Sequence, residues 1–368
     1  MGNSKHISLS ITERCNLNCI YCFEKSKSQT KMDYNTAVSV LDYEISNSNE
    51  YSSIIVDFMG GEPFLEFALI KKICEHYWSS IPTKPIRFIT TTNGTLVNGS
   101  IKRWLAANSD RFVCALSLDG IRAAHNINRC LSFDRIDIDF FLKTWPKQKV
   151  KSIVSKHTLP LLSQSVMYMH ELGFPEIEIK LAYGFDWSDD ETCHIFLSEL
   201  QKLREYYNEH LFINPCTFMN INILETAKPV SYIKKWCHAG ERTISYDMKG
   251  NRFPCRYFQD LKKSGKITLE QIWEYDYTSI QNELTDGCQC CLLRNVCRTC
   301  YAYNFDNYLS FGKKPRTSCR VTQIMAYKTA QLTLDRLSLN TIDHGEDSLI
   351  QACQKIINAF ENNNFYIG

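Results

Sequence analysis

No run of residues in this 368-residue chain is apolar for long enough to cross a bilayer. The opening MGNSKHISLSITERC lacks the charged-then-apolar layout of a secretory signal. Charge of one sign is not in excess either. The formal net charge of +2 gives no electrostatic reason to expect nucleic acid. There is no low-complexity segment, and no internal repeat beyond alternating strand–helix units. From these absences we expect a cytoplasmic protein with neither a membrane nor a nucleic-acid partner. Hydrophobic residues at 44% and charged residues at 22% are ordinary for a globular chain, and the length allows one large domain plus a smaller one.

Cysteine is what the chain has in quantity, at 17 residues. Without a secretion signal, disulfides are not the expected use, since cytosolic thiols stay reduced, and an odd count leaves at least one unpaired. Metal binding is the better account of the clusters at 15–22 and 288–300, with Cys237, Cys255 and Cys319 nearby in the second half. Cys74, Cys114, Cys193 and Cys353 lie in apolar periodic segments and read as buried packing.

The first half alternates strands with helices. Ile7, Leu9 and Ile11 alternate with Ser8, Ser10 and Thr12, and a helix follows over 33–45. Strand and helix then recur at 54–59 and 69–78, 86–91 and 101–106, 112–117 and 133–145, 150–154 and 161–172, and 177–182 and 190–207. Six such units predict an α/β fold with a parallel sheet, better suited to a partial barrel than to a complete eight-unit one. Cys15–Cys22, GGEP (60–63), TTNGT (91–95) and SLDG (117–120) follow the first four strands, all at the strand ends where such barrels place their chemistry. Beyond about 210 the pattern breaks. Residues 237–319 are Cys-rich with short turns such as MKGN (248–251) and DGCQCC (286–291), so that metal is expected to stand in for a small core. Helices return at 323–337 and 348–360. The expected divisions are 1–210, a linker 211–236, a Cys-rich domain 237–330 and a helical segment 331–368.

Cys15, Cys19 and Cys22 offer three thiolates on one loop. They can bind three irons of a [4Fe–4S] cluster and leave the fourth open, or form part of a zinc site. A zinc site needs a fourth ligand, and His6 lies at the far end of the first strand. CNLNCIYC resembles the CxxxCxxC signature of the radical SAM superfamily. The resemblance implies a partial (β/α)6 barrel. In that barrel the open iron of a [4Fe–4S] cluster chelates S-adenosylmethionine, whose reductive cleavage yields a 5′-deoxyadenosyl radical that takes hydrogen from the substrate. It also implies an electron donor such as flavodoxin or ferredoxin. GGEP resembles the loop that holds the methionyl amino group: Gly60 and Gly61 allow close backbone approach, Glu62 can accept from an ammonium, and Pro63 fixes the turn. Tyr21 precedes the last cysteine. Thr92, Asn93 and Gly94 match the family's TNG turn, although Asn93 can also bond its own backbone. SLDGIRAAHNINR is similar to SxDGxxxxHDxxR, which implies that Ser117 faces the ribose and that Arg129 neutralises a carboxylate or orders the loop. Asp119 and His125 have either a binding or a structural role.

The second half resembles the SPASM domain, with its C-x9–15-G-x4-C followed by C-x2-C-x5-C-x3-C and a last cysteine. Cys237, Gly250, Cys255, Cys288, Cys291, Cys297, Cys300 and Cys319 fit that pattern, except that two residues separate Cys297 from Cys300 and Cys290 is extra. SGKITLEQIW (264–273) resembles the domain's linking segment. A compact zinc knuckle of Cys288, Cys291, Cys297 and Cys300 would leave the other cysteines unexplained. The resemblance implies one or two auxiliary [4Fe–4S] clusters. Cys288, Cys291, Cys297 and Cys319 would hold one. Cys237, Cys255 and Cys300 would hold the other, with Cys290, Cys216 or His238 as a fourth ligand or none.

The implied reaction is oxidation of a side chain of a ribosomally made precursor peptide or protein, closing a cross-link. A second reading is an anaerobic sulfatase maturase making formylglycine. Those enzymes carry an Asp after the second SPASM cysteine, whereas here that residue is Arg256, which cannot act as a base. A leader-binding domain is not expected within the residues before Cys15. Arg256, Tyr257, Asp260 and His238 lie near the ligands in sequence, but no general base can be named among them. A zinc-stapled binding module is the remaining, non-enzymatic alternative.

Overall fold

The computed structural model describes residues 3–24, 27–80, 84–229, 232, 237–279, 288–298, 300–313, 317–339 and 347–365. The expected linker at 211–236 is therefore seen through 229 and at 232, and the expected turn at 286–291 from 288 only. Residues 230–231, 233–236 and 286–287 lie outside the described residues. The chain forms two compact units that interleave along the sequence. The first holds 1–117, 129–148 and 237–278, and the second holds 118–128, 149–236 and 279–368.

In the first unit, β1 (Ser4–Thr12), β2 (Ser53–Gly60), β3 (Ile86–Thr92) and β4 (Phe112–Leu116) pair in parallel, in the expected order. They are separated by α1 (Tyr34–Ser46), α2 (Phe67–Ser79) and α3 (Gly99–Ala107). Asp33 caps α1, its carboxylate accepting from the N–H groups of Asn35 and Thr36. Ile7, Leu9 and Ile11 are fully buried, and Phe58 stacks between Phe88 and Phe112 at 5.7 and 6.2 Å.

The alternation in β1 does not mark a solvent face. Ser10 and Thr12 are as buried as their apolar neighbours, because the strand is covered on both sides. A further strand lies at its free edge: β7 (Thr243–Tyr246) pairs in parallel with β1, and β8 (Arg252–Phe253) pairs antiparallel with β7. The sheet order is thus β4-β3-β2-β1-β7-β8. The single helix expected at 133–145 is instead a 3-10 turn, Phe133–Arg135, and a short α5 (Ile138–Thr144).

In the second unit, α4 (Arg122–Asn128) forms where the sequence reads as a loop motif, and Cys130 and Leu131 just beyond it have φ of 53° and 55°. β5 (Val150–Val154) and β6 (Ile177–Leu181) form a parallel pair with α6 (Leu162–Glu171) and α7 (Asp190–Glu209). Asp189 caps α7 through Thr192 N at 2.8 Å. All six strand–helix units are therefore present. The remaining helices are α8 (Arg256–Lys263) and α9 (Leu269–Glu274) in the first unit, and α10 (Tyr301–Tyr308), α11 (Thr317–Ser338) and α12 (Asp347–Glu361) in the second.

The Cys-rich segment does not lack a core. Leu292, Leu293 and Val296 are buried with Ala326, Ala330, Ala352 and Ile356 of α11 and α12, and α11 runs through position 330 without a break. Cys74, Cys114, Cys193 and Cys353 are buried, as their apolar surroundings predict. Among the described residues no helix is long and apolar enough to cross a membrane.

Candidate functional site

The rim motifs of the first unit meet at the end of β1. The chain leaves β1 into the loop carrying Cys15, Cys19 and Cys22, all partly buried. A turn closes it, with Cys22 N–H donating to Cys19 O at 3.0 Å. The GGEP turn lies against this loop. Gly61 N donates to Thr12 O at 3.0 Å and Glu62 N to Arg14 O at 2.8 Å. A Cβ on Gly61 would fall 2.2 Å from Arg14 O, and one on Gly60 2.7 Å from Thr12 O. These glycines therefore permit close approach to the cysteine loop's own backbone.

Glu62 is 1% exposed, and its oxygens are taken up within the rim. Oε1 accepts from Thr92 Oγ1 at 2.6 Å and Phe64 N at 3.2 Å, and Oε2 accepts from Asn93 N at 2.8 Å. Burial pushes its pKa up, against these donors and the positive charge of Arg129. Pro63 begins the 3-10 turn that Glu62 caps. Asn93 does bond its own turn, with Oδ1 accepting from Thr95 N and Oγ1, while its Nδ2 donates to Asn16 Oδ1 at 2.9 Å. Asn16 Nδ2 in turn donates to Thr95 Oγ1 at 2.8 Å. Gly94 takes φ +80°, which a side chain would strain. Ser117 N donates to Thr92 O at 2.9 Å. The three loops are thus joined in one polar network. Asn16 and Thr95 were missed in the sequence because nothing local marks a contact between loops so far apart in the chain.

Arg129 is 7% exposed, and its guanidinium lies over the Tyr21 ring at 5.4 Å. Burial pushes the Cys15 and Cys22 thiols up. At Cys22, Lys27, Arg256 and Arg129 act against burial while Asp260 adds to it. Cys130, which the sequence left unremarked, donates from Sγ to Asn18 O at 2.9 Å, inside the cysteine loop. His6 sits beside Asp57 at 3.4 Å on β2.

Asp119 belongs to the second unit. Its carboxylate accepts from Ile153 N at 3.0 Å and Asn128 Nδ2 at 3.2 Å, while His125 Nδ1 accepts from Asp119 N at 3.3 Å.

The later cysteines fall into three groups. Cys237 and Cys255 lie in the first unit, where both thiols act electrostatically on Tyr277. The β7–β8 hairpin brings their neighbourhoods together: Gly250 takes φ +81° in its turn, and Gly240 N donates to Pro254 O at 3.2 Å. Cys288, Cys291, Cys297 and Cys319 lie in the second unit. Cys291 N donates to Cys288 O at 3.2 Å, and Cys297 Sγ lies 3.8 Å from Thr322 Oγ1, one helical turn along α11 from Cys319. Cys300, also in the second unit, begins α10. Burial pushes its thiol up against donation from the Tyr303 and Ala302 N–H groups and the Tyr183 hydroxyl. Of the possible fourth ligands, Cys216 is fully buried beside Tyr207, His238 is engaged by Arg242 and Glu241, and Cys290 is exposed.

Among the described residues, no three His, Cys, Asp or Glu side chains are arranged to hold a single metal ion. Three thiolates on one loop are a donor set for three irons of a cubane, whose fourth iron they leave open.

The family model described as a 4Fe-4S single cluster domain matches residues 4–114. An uncharacterised protein of Methanocaldococcus jannaschii is 30% identical over 48% of this chain, and the match spans 62% of that protein, less than two thirds of its length. A cysteine-type anaerobic sulfatase-maturating enzyme of Clostridium perfringens is 28% identical over 78% of this chain and 86% of its own. Among solved structures, native anSMEcpe with bound AdoMet and Cp18Cys peptide superposes with a TM-score of 0.69 at 20% identity, covering 92% of this chain and all of that one. Streptococcus suis SuiB bound to precursor peptide SuiA gives 0.59 at 18% identity, covering 87% and 76%. At these identities the structural likeness concerns the fold.

Proposed function

We propose that this chain, a radical SAM enzyme of the SPASM type with S-adenosylmethionine and [4Fe–4S] cofactors, oxidises a side chain of a ribosomally made precursor peptide. When bound, these cofactors supply a carbon-centred radical that removes hydrogen from an unactivated carbon. The chain's own residues position and shield that chemistry. Cys15, Cys19 and Cys22 present the thiolates. The Glu62–Thr92–Asn93–Asn16 network ties the loop to its neighbours. Arg129, held over Tyr21, places a cation beside the cysteine loop, where a substrate carboxylate can be met. Cys288, Cys291, Cys297 and Cys319 in one unit, and Cys237 and Cys255 in the other, supply auxiliary thiolates able to hold electron acceptors.

The observation that carries the peptide reading over formylglycine formation is Arg256. Its side chain is 11% exposed and paired with Glu24, a fixed cation where the sulfatase maturases have an acid. The sulfatase reading keeps its own support in the length and identity shared with the Clostridium perfringens enzyme. One experiment separates them. The anaerobically reconstituted enzyme is given a peptide encoded by a short reading frame beside its gene and, separately, a sulfatase-type Cys or Ser peptide. Loss of a hydrogen pair from the first, with a cross-link located by fragmentation, supports the proposal. Formylglycine on the second and no change in the first overturns it.

A further inference from the structure

Beside the cysteine loop, the first unit contains a cleft of about 360 Å³. Its lining includes Glu13 and Glu24 from the loop region, Phe253 of β8, and Arg256, Gln259 and Asp260 of α8. Helix α8 is anchored over β1 and β7 by Gln259, which accepts from Ser10 Oγ at 2.8 Å and donates to Ser245 Oγ at 2.6 Å. Arg256 and Asp260 lie one turn apart, on the same face of the helix.

The cleft holds three buried polar atoms with no hydrogen-bond partner among the described residues: Glu24 Oε2, Arg256 Nη1 and Asp260 Oδ2. Glu24 is 8% exposed and lines the cleft, and the three atoms are themselves closed to solvent. Buried polar atoms are ordinarily satisfied, so three unsatisfied atoms beside one cavity call for a partner that the described residues do not supply. Two acceptors and one donor match a group that both donates and accepts, such as a peptide amide.

The three are not equivalent as proton acceptors. Glu24 is tied to Arg256 by an ion pair, and Arg256 carries no basic lone pair. Asp260 is the remaining acid with a free oxygen. Burial raises its pKa to about 6, against Arg256 and Lys263 and helped by Glu13. An acid so placed is mostly ionised near neutral pH yet takes a proton readily. The Lys263 ammonium is itself paired with Glu13 at 2.6 Å, while Asp247 and Lys249 face the cleft from the β7–β8 turn.

We propose that Asp260 contacts the substrate in this cleft and accepts the proton released as the substrate is oxidised. The assignment rests on the peptide-oxidising reading above. The balance is simple. The substrate carbon gives one hydrogen atom to the S-adenosylmethionine-derived radical. Forming the new bond would release one electron, for which an auxiliary iron–sulfur cluster held by the later cysteines would be the acceptor, and one proton, taken by Asp260 Oδ2.

The test uses reconstituted holoenzyme and a synthetic peptide encoded by a short reading frame beside the gene, deuterated on its side-chain carbons. For Asp260→Asn, deuterium transfer into 5′-deoxyadenosine stays within about threefold of wild type while modified peptide falls about a hundredfold or more. Asp260→Glu recovers at least about a tenth of the product. A separate readout is thermal stability. Asp260 has a folded-state pKa above its unfolded value, so its charge costs stability once pH exceeds that folded value. Asp260→Asn therefore melts above wild type at pH about 7.5, and the gap closes as pH falls below about 6. Product formation within about threefold of wild type in Asp260→Asn, or a melting gap unchanged with pH, overturns the assignment. If wild type puts no deuterium into 5′-deoxyadenosine, the peptide reading itself falls and takes the assignment with it.

Discussion

The cysteine loop of the first unit and the cysteine run of the second are held by different forces. Residues 15–22 are held by directional bonds: Gly61 and Glu62 donate to Thr12 O and Arg14 O at the loop's entry, and Asn93 reaches Asn16 within it. Residues 288–297 rest more on apolar surface, where Cys291 and Cys297 pack against the cluster of Leu292, Leu293, Val296 and the C-terminal helices, with hydrogen bonds from Leu292 N to Phe365 O at 2.7 Å and from Arg294 Nη2 to Lys228 O at 2.9 Å beside it. Hydrogen bonds fix orientation to fractions of an ångström, whereas apolar burial supplies stability with little direction. The difference fits the roles given to the two places. A radical generator must be aimed, and an electron acceptor needs only to be near.

Four substitutions break or sharpen this contrast. Cys19→Ala has the largest effect: iron falls by about four atoms per chain and S-adenosylmethionine cleavage drops below detection, read by metal analysis and chromatography. Cys297→Ala also loses about four irons, but it still cleaves S-adenosylmethionine while the peptide product disappears. If both variants lose cleavage equally, the division of labour is wrong. Leu293→Ala, in the apolar seat, lowers stability by about 2–5 kcal/mol in a thermal melt, and affinity for S-adenosylmethionine is unchanged. Glu62→Gln acts on both, on a smaller scale. It replaces an acceptor with a donor in a buried network, so S-adenosylmethionine binds roughly tenfold more weakly, about 1.4 kcal/mol by calorimetry, with a stability loss of about 1–3 kcal/mol in a thermal melt, smaller than that of Leu293→Ala.

Much of this was readable in the chain. The strand–helix alternation placed β1 through β6, and the four rim motifs followed their strands because local spacing encodes local structure. Long-range pairing left no such mark. Nothing in TISY (243–246) announces that it will extend the sheet from the edge of β1. The alternation in β1 predicts the strand, but it shows only that two faces differ, not that one is wet. Ser10 is buried there against Gln259 of α8, the helix that positions Asp260. GGEP and TTNGT were found as loops, but their partners were not, since Glu62 meets Thr92 and Asn93 across 30 residues of chain. Arg256 was noted for what it is not. Only its pairing with Glu24 shows what it does.

The measurement that bears most directly on the central claim is iron and S-adenosylmethionine chemistry on protein purified without oxygen. The account predicts a brown protein with about eight to twelve irons per chain that, once reduced, splits S-adenosylmethionine into methionine and 5′-deoxyadenosine. A colourless, zinc-loaded protein that leaves S-adenosylmethionine intact would contradict it.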